Sequence, residues 1–197
     1  MIVLGLTGSI GMGKSTASAM FRDRGIPVFD ADEVVHDLYR GAAAPLVEAA
    51  FPGTTVDGAV DRAKLGAAVV GKPEKLALLE SIVHPLVREA ERAFLEAAER
   101  SGAQLAVLDI PLLLEGSGAE RCDLIAVVSA GPEIQRERVL GREGMTEEKF
   151  AGILARQMPD EQKRALADII IDTSSDIEST RRTVDGIIVR LTTGESA

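Results

Sequence analysis

An apolar run, Ile2 to Thr7, breaks directly into Gly8-Ser9-Ile10-Gly11-Met12-Gly13-Lys14-Ser15, and this junction restricts the fold more than any other segment. Its glycines let the backbone curl so that successive N–H groups face a common centre. The helix expected to begin near Lys14 aims the positive end of its dipole at the same point. Anion binding follows from main-chain geometry alone, and the octapeptide meets the full spacing G-x-x-x-x-G-K-[ST] of a phosphate-binding loop. Gly8, Gly11, Met12, Gly13, Lys14, Ser15 and Thr16 are therefore the candidate nucleotide contacts. The Lys14 ammonium reaches β- and γ-phosphates as a point charge, and the Ser15 hydroxyl supplies one coordination position for Mg²⁺, so ATP with Mg²⁺ is the expected ligand. A glycine-rich turn that matches by accident is the competing reading, and the placement between strand and helix weighs against it.

Downstream, short β-branched runs alternate with stretches of helical period, the pattern of crossover units and a parallel sheet. Strands are expected at Ile2 to Thr7, Ile26 to Asp30, Leu105 to Asp109, Leu124 to Ser129 and Ile169 to Asp172. The fold class is thus α/β, a five-stranded parallel sheet flanked by helices, in one domain whose core takes roughly residues 1–31, 105–131 and 167–197. A helical insertion with no clear strand occupies about 32–104, where Leu86, Ala90, Ala93, Phe94 and Ala97 recur at helical spacing. A second, rich in Arg and Glu, occupies about 132–166 and is expected to act as a lid. A last amphipathic helix places Ile177, Val184, Ile187, Ile188 and Leu191 on one face.

Composition then narrows the partners. The formal charge of −9 disfavours a broad nucleic-acid or anionic-membrane surface, and 3% aromatic residues leave little for stacking on bases. Any phosphate site must be local. The single cysteine, Cys122, cannot close an internal disulfide and reads as a small core residue; a reduced cytoplasm is the expectation. No apolar run approaches the ~18 residues of a membrane span, and no obligatory protein partner is suggested.

Other chemistry gathers at strand ends. Asp30-Ala31-Asp32 follows the second strand, in the crevice where ligands of open α/β sheets bind. Asp32 there is either a carboxylate for an acceptor hydroxyl or the cap of the helix carrying Val34, Val35 and Leu38. Asp109 closes the third strand as the Mg²⁺-linked aspartate of phosphate-loop proteins does. His84-Pro85 is expected to open a long helix with Arg88 one turn in. Arg136, Arg138, Arg142, Arg156 and Arg164 populate the second insertion, and the i,i+4 spacing of Arg138 and Arg142 puts them on one helix face. Most of these read as a solvated face; one or two are candidates for charge brought onto a transferring phosphoryl group.

In their order along the chain, Gly5-Leu6-Thr7-Gly8 with the loop, Asp30-Ala31-Asp32, Leu79-Glu80 with His84-Pro85 and Arg88, Asp109-Ile110-Pro111-Leu112-Leu113-Leu114-Glu115, and Lys163 with Ala167-Asp168 resemble the dephospho-CoA kinase family from end to end. The resemblance implies phosphorylation of the ribose 3′-hydroxyl of dephospho-CoA by ATP, the last step of coenzyme A synthesis. It makes Lys14, Asp32 and Arg142 the catalytic candidates, with Thr7, Asp32, Arg62, His84 and Arg88 toward the acceptor and Ser15 toward the metal. The arginine roles come from the resemblance, not from spacing. Two positions depart from the family pattern: Ile153 stands four residues before Gln157, where an arginine is usual, and Asp172-Thr173-Ser174-Ser175 replaces an Asn-rich turn, so adenine contacts do not carry over. A kinase for another hydroxyl acceptor and a non-catalytic nucleotide-binding subunit are the alternatives. A GTPase switch is excluded, because its guanine-reading motif needs Asn and the chain has none.

Overall fold

The computed structural model describes residues 1–116 and 118–194. In chain order the elements are β1 (Ile2–Thr7), α1 (Lys14–Asp23), β2 (Val28–Asp30), α2 (Ala31–Tyr39), α3 (Ala43–Ala50), β3 (Thr55–Val56), β4 (Ala59–Val60), α4 (Arg62–Val69), α5 (Pro73–Arg100), β5 (Leu105–Asp109), a 3-10 turn (Ala119–Arg121), β6 (Leu124–Ser129), α6 (Pro132–Leu140), α7 (Glu147–Leu154), α8 (Asp160–Ala165), β7 (Ile169–Asp172) and α9 (Ile177–Thr193). The chain forms two compact units, residues 1–29 with 98–197, and residues 30–97.

The first unit is built on a five-stranded sheet in the order β2-β5-β1-β6-β7, and β1 pairs in parallel with both β5 and β6. Parallel strands buried on both faces read as continuous apolar runs, and all five residues of β5 are buried. Four of the strands occupy the spans expected from sequence. The second starts later, at Val28, because Pro27 has no N–H to give a ladder; its carbonyl accepts from Val107 N at 2.9 Å. Ala17, Met20 and Phe21 of α1 and Val184 and Ile187 of α9 join Leu4, Leu6, Val107 and Val128 in one core. Ile177, assigned to that face by periodicity, is 57% exposed, since it begins the helix beside its Asp176 cap rather than lying over the sheet. Cys122 is half-buried against Gly5, where an added Cβ would lie 2.7 Å from its sulfur.

In the second unit α2 to α5 enclose Ala43, Val47, Phe51, Leu65, Val69, Leu79 and Val83. Two expectations fail here. The segment holds a strand pair after all: β3 and β4 form an antiparallel hairpin across Asp57-Gly58. Both turn residues have positive φ, 50° and 78°, the mirror-image turn geometry that Asp-Gly favours, so the dipeptide was the signal to read. His84-Pro85 opens nothing, because α5 runs without interruption from Pro73 to Arg100 with Pro85 inside it. Pro85 removes one helical hydrogen bond, and Leu79 and Val83 before it, with Leu86 and Val87 after it, pack on one core that holds the helix through the defect. Its inward face also differs from the alanine pattern. Ala93 and Ala97 are exposed, whereas Glu91 and Ala98 are buried.

Candidate active site

The phosphate loop is a sequence of close approaches. Met12 N donates to Ser9 O at 3.2 Å, closing a turn whose third residue, Gly11, has φ +79°. That is the position of a type II turn that demands a residue free of Cβ strain. Space demands it as well: a Cβ on Gly11 would lie 2.5 Å from Val139 Cγ2 and 3.0 Å from the Gln135 carbonyl oxygen. Gly13 is the N-cap of α1, and Thr16 N and Ala17 N both donate to its carbonyl at 3.1 Å. Ser15 and Thr16, in the first turn, present their side chains to solvent.

Strand order delivers the charges. β5 lies beside β1 with Leu6 opposite Asp109, so Asp109 reaches the loop, and Lys14 Nζ sits 2.5 Å from its Oδ1. Asp109 is 2% exposed and Lys14 15%. The Thr7 hydroxyl is buried and donates to Pro111 O at 3.0 Å, tying the end of β1 to the segment after β5.

A cleft of about 310 Å³ adjoins the loop, bounded by Gly11, Gly13, Thr16, Thr173, Arg138 and Arg142. Arg138 and Arg142 thus meet the same space, though not along one helix face, because α6 stops at Leu140 with Gly141 as its cap. Arg138 spans Thr173, donating to its hydroxyl at 3.0 Å and to its carbonyl at 2.7 Å. Thr173 Oγ1 in turn donates to Met12 O at 2.7 Å, inside the loop. The sequence offers Arg138 as one of the candidate arginines of the second insertion but does not single out Thr173 as a contact; Thr173 follows the carboxyl end of β7, the edge where α/β sheets bind ligands, and that position is the available signal. Asp172 Oδ1 accepts from Ser174 N at 2.7 Å, which holds its carboxyl below the usual range. Arg136 pairs with Glu147 on the surface, as a solvated face would have it.

The second unit carries a separate cleft of about 470 Å³, whose polar lining is Asp32, Tyr39 and Arg62. Asp30, not Asp32, caps α2: its Oδ1 accepts from Asp32 N at 3.0 Å and Glu33 N at 3.1 Å. The Asp32 carboxylate, exposed in the first turn, is left with no capping role. Asp61 caps α4 in the same manner and so fixes Arg62 as its first residue, with the guanidinium 5.7 Å from the centre of the Tyr39 ring. Burial pushes the Tyr39 phenol up, and the Arg62 charge opposes this, so it remains a neutral hydroxyl. His84 and Arg88 are exposed on α5 and do not line this cleft.

A parallel sheet with a complete phosphate loop at the end of its central strand, a lysine anchored on the neighbouring strand's aspartate and two arginines on the adjoining cleft define a P-loop nucleotide-binding fold. Known proteins narrow the class. The family model for dephospho-CoA kinase matches residues 2–179. A dephospho-CoA kinase of Mesorhizobium japonicum is 62% identical over 191 residues, 97% of each chain. One of Rhizobium meliloti is 56% identical over 194 residues, 98% of this chain and all of that one. A Thermus thermophilus crystal structure superposes with a TM-score of 0.84 at 35% identity, covering 97% of this chain and 98% of that one. This chain belongs to the dephospho-CoA kinase family. A shikimate kinase of Acinetobacter baumannii, at TM-score 0.52 and 15% identity over 100% of this chain and 96% of that one, shares the fold alone.

Proposed function

We propose that this chain transfers the γ-phosphoryl group of ATP to the ribose 3′-hydroxyl of dephospho-CoA, giving coenzyme A and ADP, the last step of coenzyme A biosynthesis. The observation that carries the reading is the intact Gly8–Ser15 loop with Lys14 held on Asp109, in a chain that matches the family over residues 2–179.

Phosphoryl transfer passes through a loose transition state, so the protein mostly positions reactants and offsets charge. The loop N–H groups and the α1 N-terminus bind the phosphates. Lys14 follows the developing charge, and Arg142, with Arg138 beside it, adds positive charge from the lid segment. Asp32 receives the hydrogen bond of the acceptor hydroxyl and, late in the transfer, its proton. Arg62 contacts an acceptor phosphate, with Tyr39 beneath its guanidinium; Thr7, His84 and Arg88 are the further acceptor-side assignments. The insertion at about 32–104 carries the acceptor functions, and the segment at about 132–166 is the lid.

Hard oxygen donors suit Mg²⁺, and the Ser15 hydroxyl, exposed in the first turn of α1, fits that chemistry. When bound, the ion neutralises charge on the β- and γ-phosphates. Among the described residues no three His, Cys, Asp or Glu are grouped so as to hold a metal ion. No described helix is long and apolar enough to cross a membrane; with one cysteine and no basic surface excess, we assign the chain to the cytoplasm and to small-molecule substrates.

The test is ADP release with ATP, Mg²⁺ and dephospho-CoA, beside AMP, adenosine and no-acceptor controls. Fast turnover confined to dephospho-CoA, with coenzyme A as product, is expected. Release no faster than the no-acceptor control would refute the assignment.

A further inference from the structure

Ile10, inside the phosphate loop, is held on both sides of its backbone by side-chain amides from outside the loop. Its N–H donates to Gln157 Oε1 at 3.1 Å, and its carbonyl accepts from Gln135 Nε2 at 2.7 Å. A backbone carbonyl only accepts and an N–H only donates, so the backbone dictates the orientation of both amides. Gln135 lies on α6 and is buried; Gln157 lies just beyond α7. The stretch carrying Gln157 is itself anchored, since Met158 N donates to Glu115 Oε1 at 2.9 Å and the fully buried Lys163 ammonium stands 2.8 Å from that carboxylate.

The location of these bonds gives them meaning. Ile10 and Gly11 are the central residues of the Ser9–Met12 turn, and rotation of the peptide between them by about 180° interconverts type II and type I turns. The +79° φ of Gly11 belongs to type II. In a trans peptide the Ile10 carbonyl and the Gly11 N–H point in opposite directions, so a bond that fixes one fixes the other. A loop that binds phosphate through main-chain donors depends on where such an N–H points.

We propose that Gln135 is a positioning residue for ATP: by gripping the Ile10 carbonyl it prevents the Ile10–Gly11 peptide from flipping and keeps the Gly11 N–H available to phosphate, while Gln157 steadies the preceding peptide. Both amides come from the segment between β6 and β7. The inference rests on the reading of Gly8–Ser15 as the ATP site and is independent of which acceptor is used.

Gln135→Met keeps the length and removes the donor. Relative to the parent, its KM for ATP should rise about tenfold, the loss of roughly one hydrogen bond, while KM for dephospho-CoA stays within about twofold. Gln135→Glu separates this from a packing role. Its carboxyl, raised by burial against a carbonyl, cannot donate when ionised at pH 8 but regains an O–H donor as the pH falls toward 6. Its KM for ATP, taken against the parent at each pH, should recover over that range, whereas that of Gln135→Met should not. Gln157→Met, at a less buried position, should raise KM for ATP in the same direction and serves if Gln135 variants fold poorly. Folded variants with parental KM for ATP, or Glu and Met variants with one pH profile, would overturn the proposal. Should ATP fail to raise the thermal midpoint of the parent as well, the phosphate-loop reading falls with it; a parental response shared equally by Gln135→Met sinks this inference alone.

Discussion

The Lys14 ammonium and the Asp109 carboxylate meet at 2.5 Å, with Asp109 2% exposed and Lys14 15%. In the proposed reaction a phosphate entering the loop competes with Asp109 for the same cation. Lys14→Met should lower kcat by roughly 10²- to 10³-fold, the usual cost of removing one preorganised transition-state partner. Asp109→Asn should act first on stability, because it strands a mostly buried ammonium. Breaking a fully buried pair costs about 3–5 kcal/mol, and the partial exposure of Lys14 puts this case at the low end. Urea unfolding of both variants beside steady-state kinetics checks the division; an Asp109→Asn protein as stable as the parent would contradict it.

Two aspartates two residues apart should separate in the same way. Asp30 accepts from Asp32 N and Glu33 N and so stabilises the start of α2, whereas the Asp32 carboxylate takes no part in that cap. Asp30→Ala should cost about 1 kcal/mol of stability. Asp32→Asn should leave the unfolding midpoint near that of the parent and lower kcat by about 10²-fold or more, within the range for a positioned acid–base group. Equal stability losses in the two variants, with parental turnover in Asp32→Asn, would remove Asp32 from the mechanism.

The cleft of the second unit should report on the acceptor only. With Arg62 5.7 Å from the Tyr39 ring centre, Tyr39→Leu removes the surface on which the guanidinium rests, worth about 0.5–1 kcal/mol at an exposed site. Arg62→Ala should raise KM for dephospho-CoA about tenfold or more, Tyr39→Leu a few-fold, and neither should move KM for ATP. A rise in KM for ATP with Arg62→Ala would assign this arginine to the nucleotide instead.

What the sequence revealed and what it hid divide along physical lines. The Gly8–Ser15 loop was legible because its chemistry is local: glycines, a lysine and a hydroxyl at fixed spacing next to a strand. The central strands were legible because burial on both faces writes an unbroken apolar run. Pro85 misled because a proline signals its own local cost, while Leu79, Val83, Leu86 and Val87, which carry α5 past it, act through tertiary packing. The Asp57-Gly58 hairpin was legible in principle and overlooked, its strands being only two residues each. Thr173, Gln135 and Gln157 were invisible as loop partners for another reason. They lie more than a hundred residues from Met12 and Ile10, and the sheet order and the packing of the later helices bring them together.

Acid should loosen the second unit through a contact that no motif marks. Glu48, at the end of α3, accepts from Gly53 N at 2.7 Å and from Thr55 N and Oγ1 at 2.9 and 2.8 Å, and so fixes the chain entering the β3–β4 hairpin. The Gly53 N–H, followed by the Thr55 hydroxyl, holds its carboxyl below the usual glutamate range. A carboxylate whose pKa is lower folded than unfolded contributes stability that is fully present above the unfolded value, about 4.3, and lost as the pH falls through the folded one. Glu48→Gln lacks that titration, since its amide offers a single accepting oxygen at every pH. Thermal unfolding of parent and variant between pH 7 and 3 should show the parent more stable at neutral pH and the gap narrowing below about pH 4. Asp176 and Asp185, also held low by their hydrogen bonds, lower the midpoints of both proteins together and cancel in the comparison. A gap constant across the range would mean that the Glu48 charge contributes nothing and that its shape alone supports the hairpin.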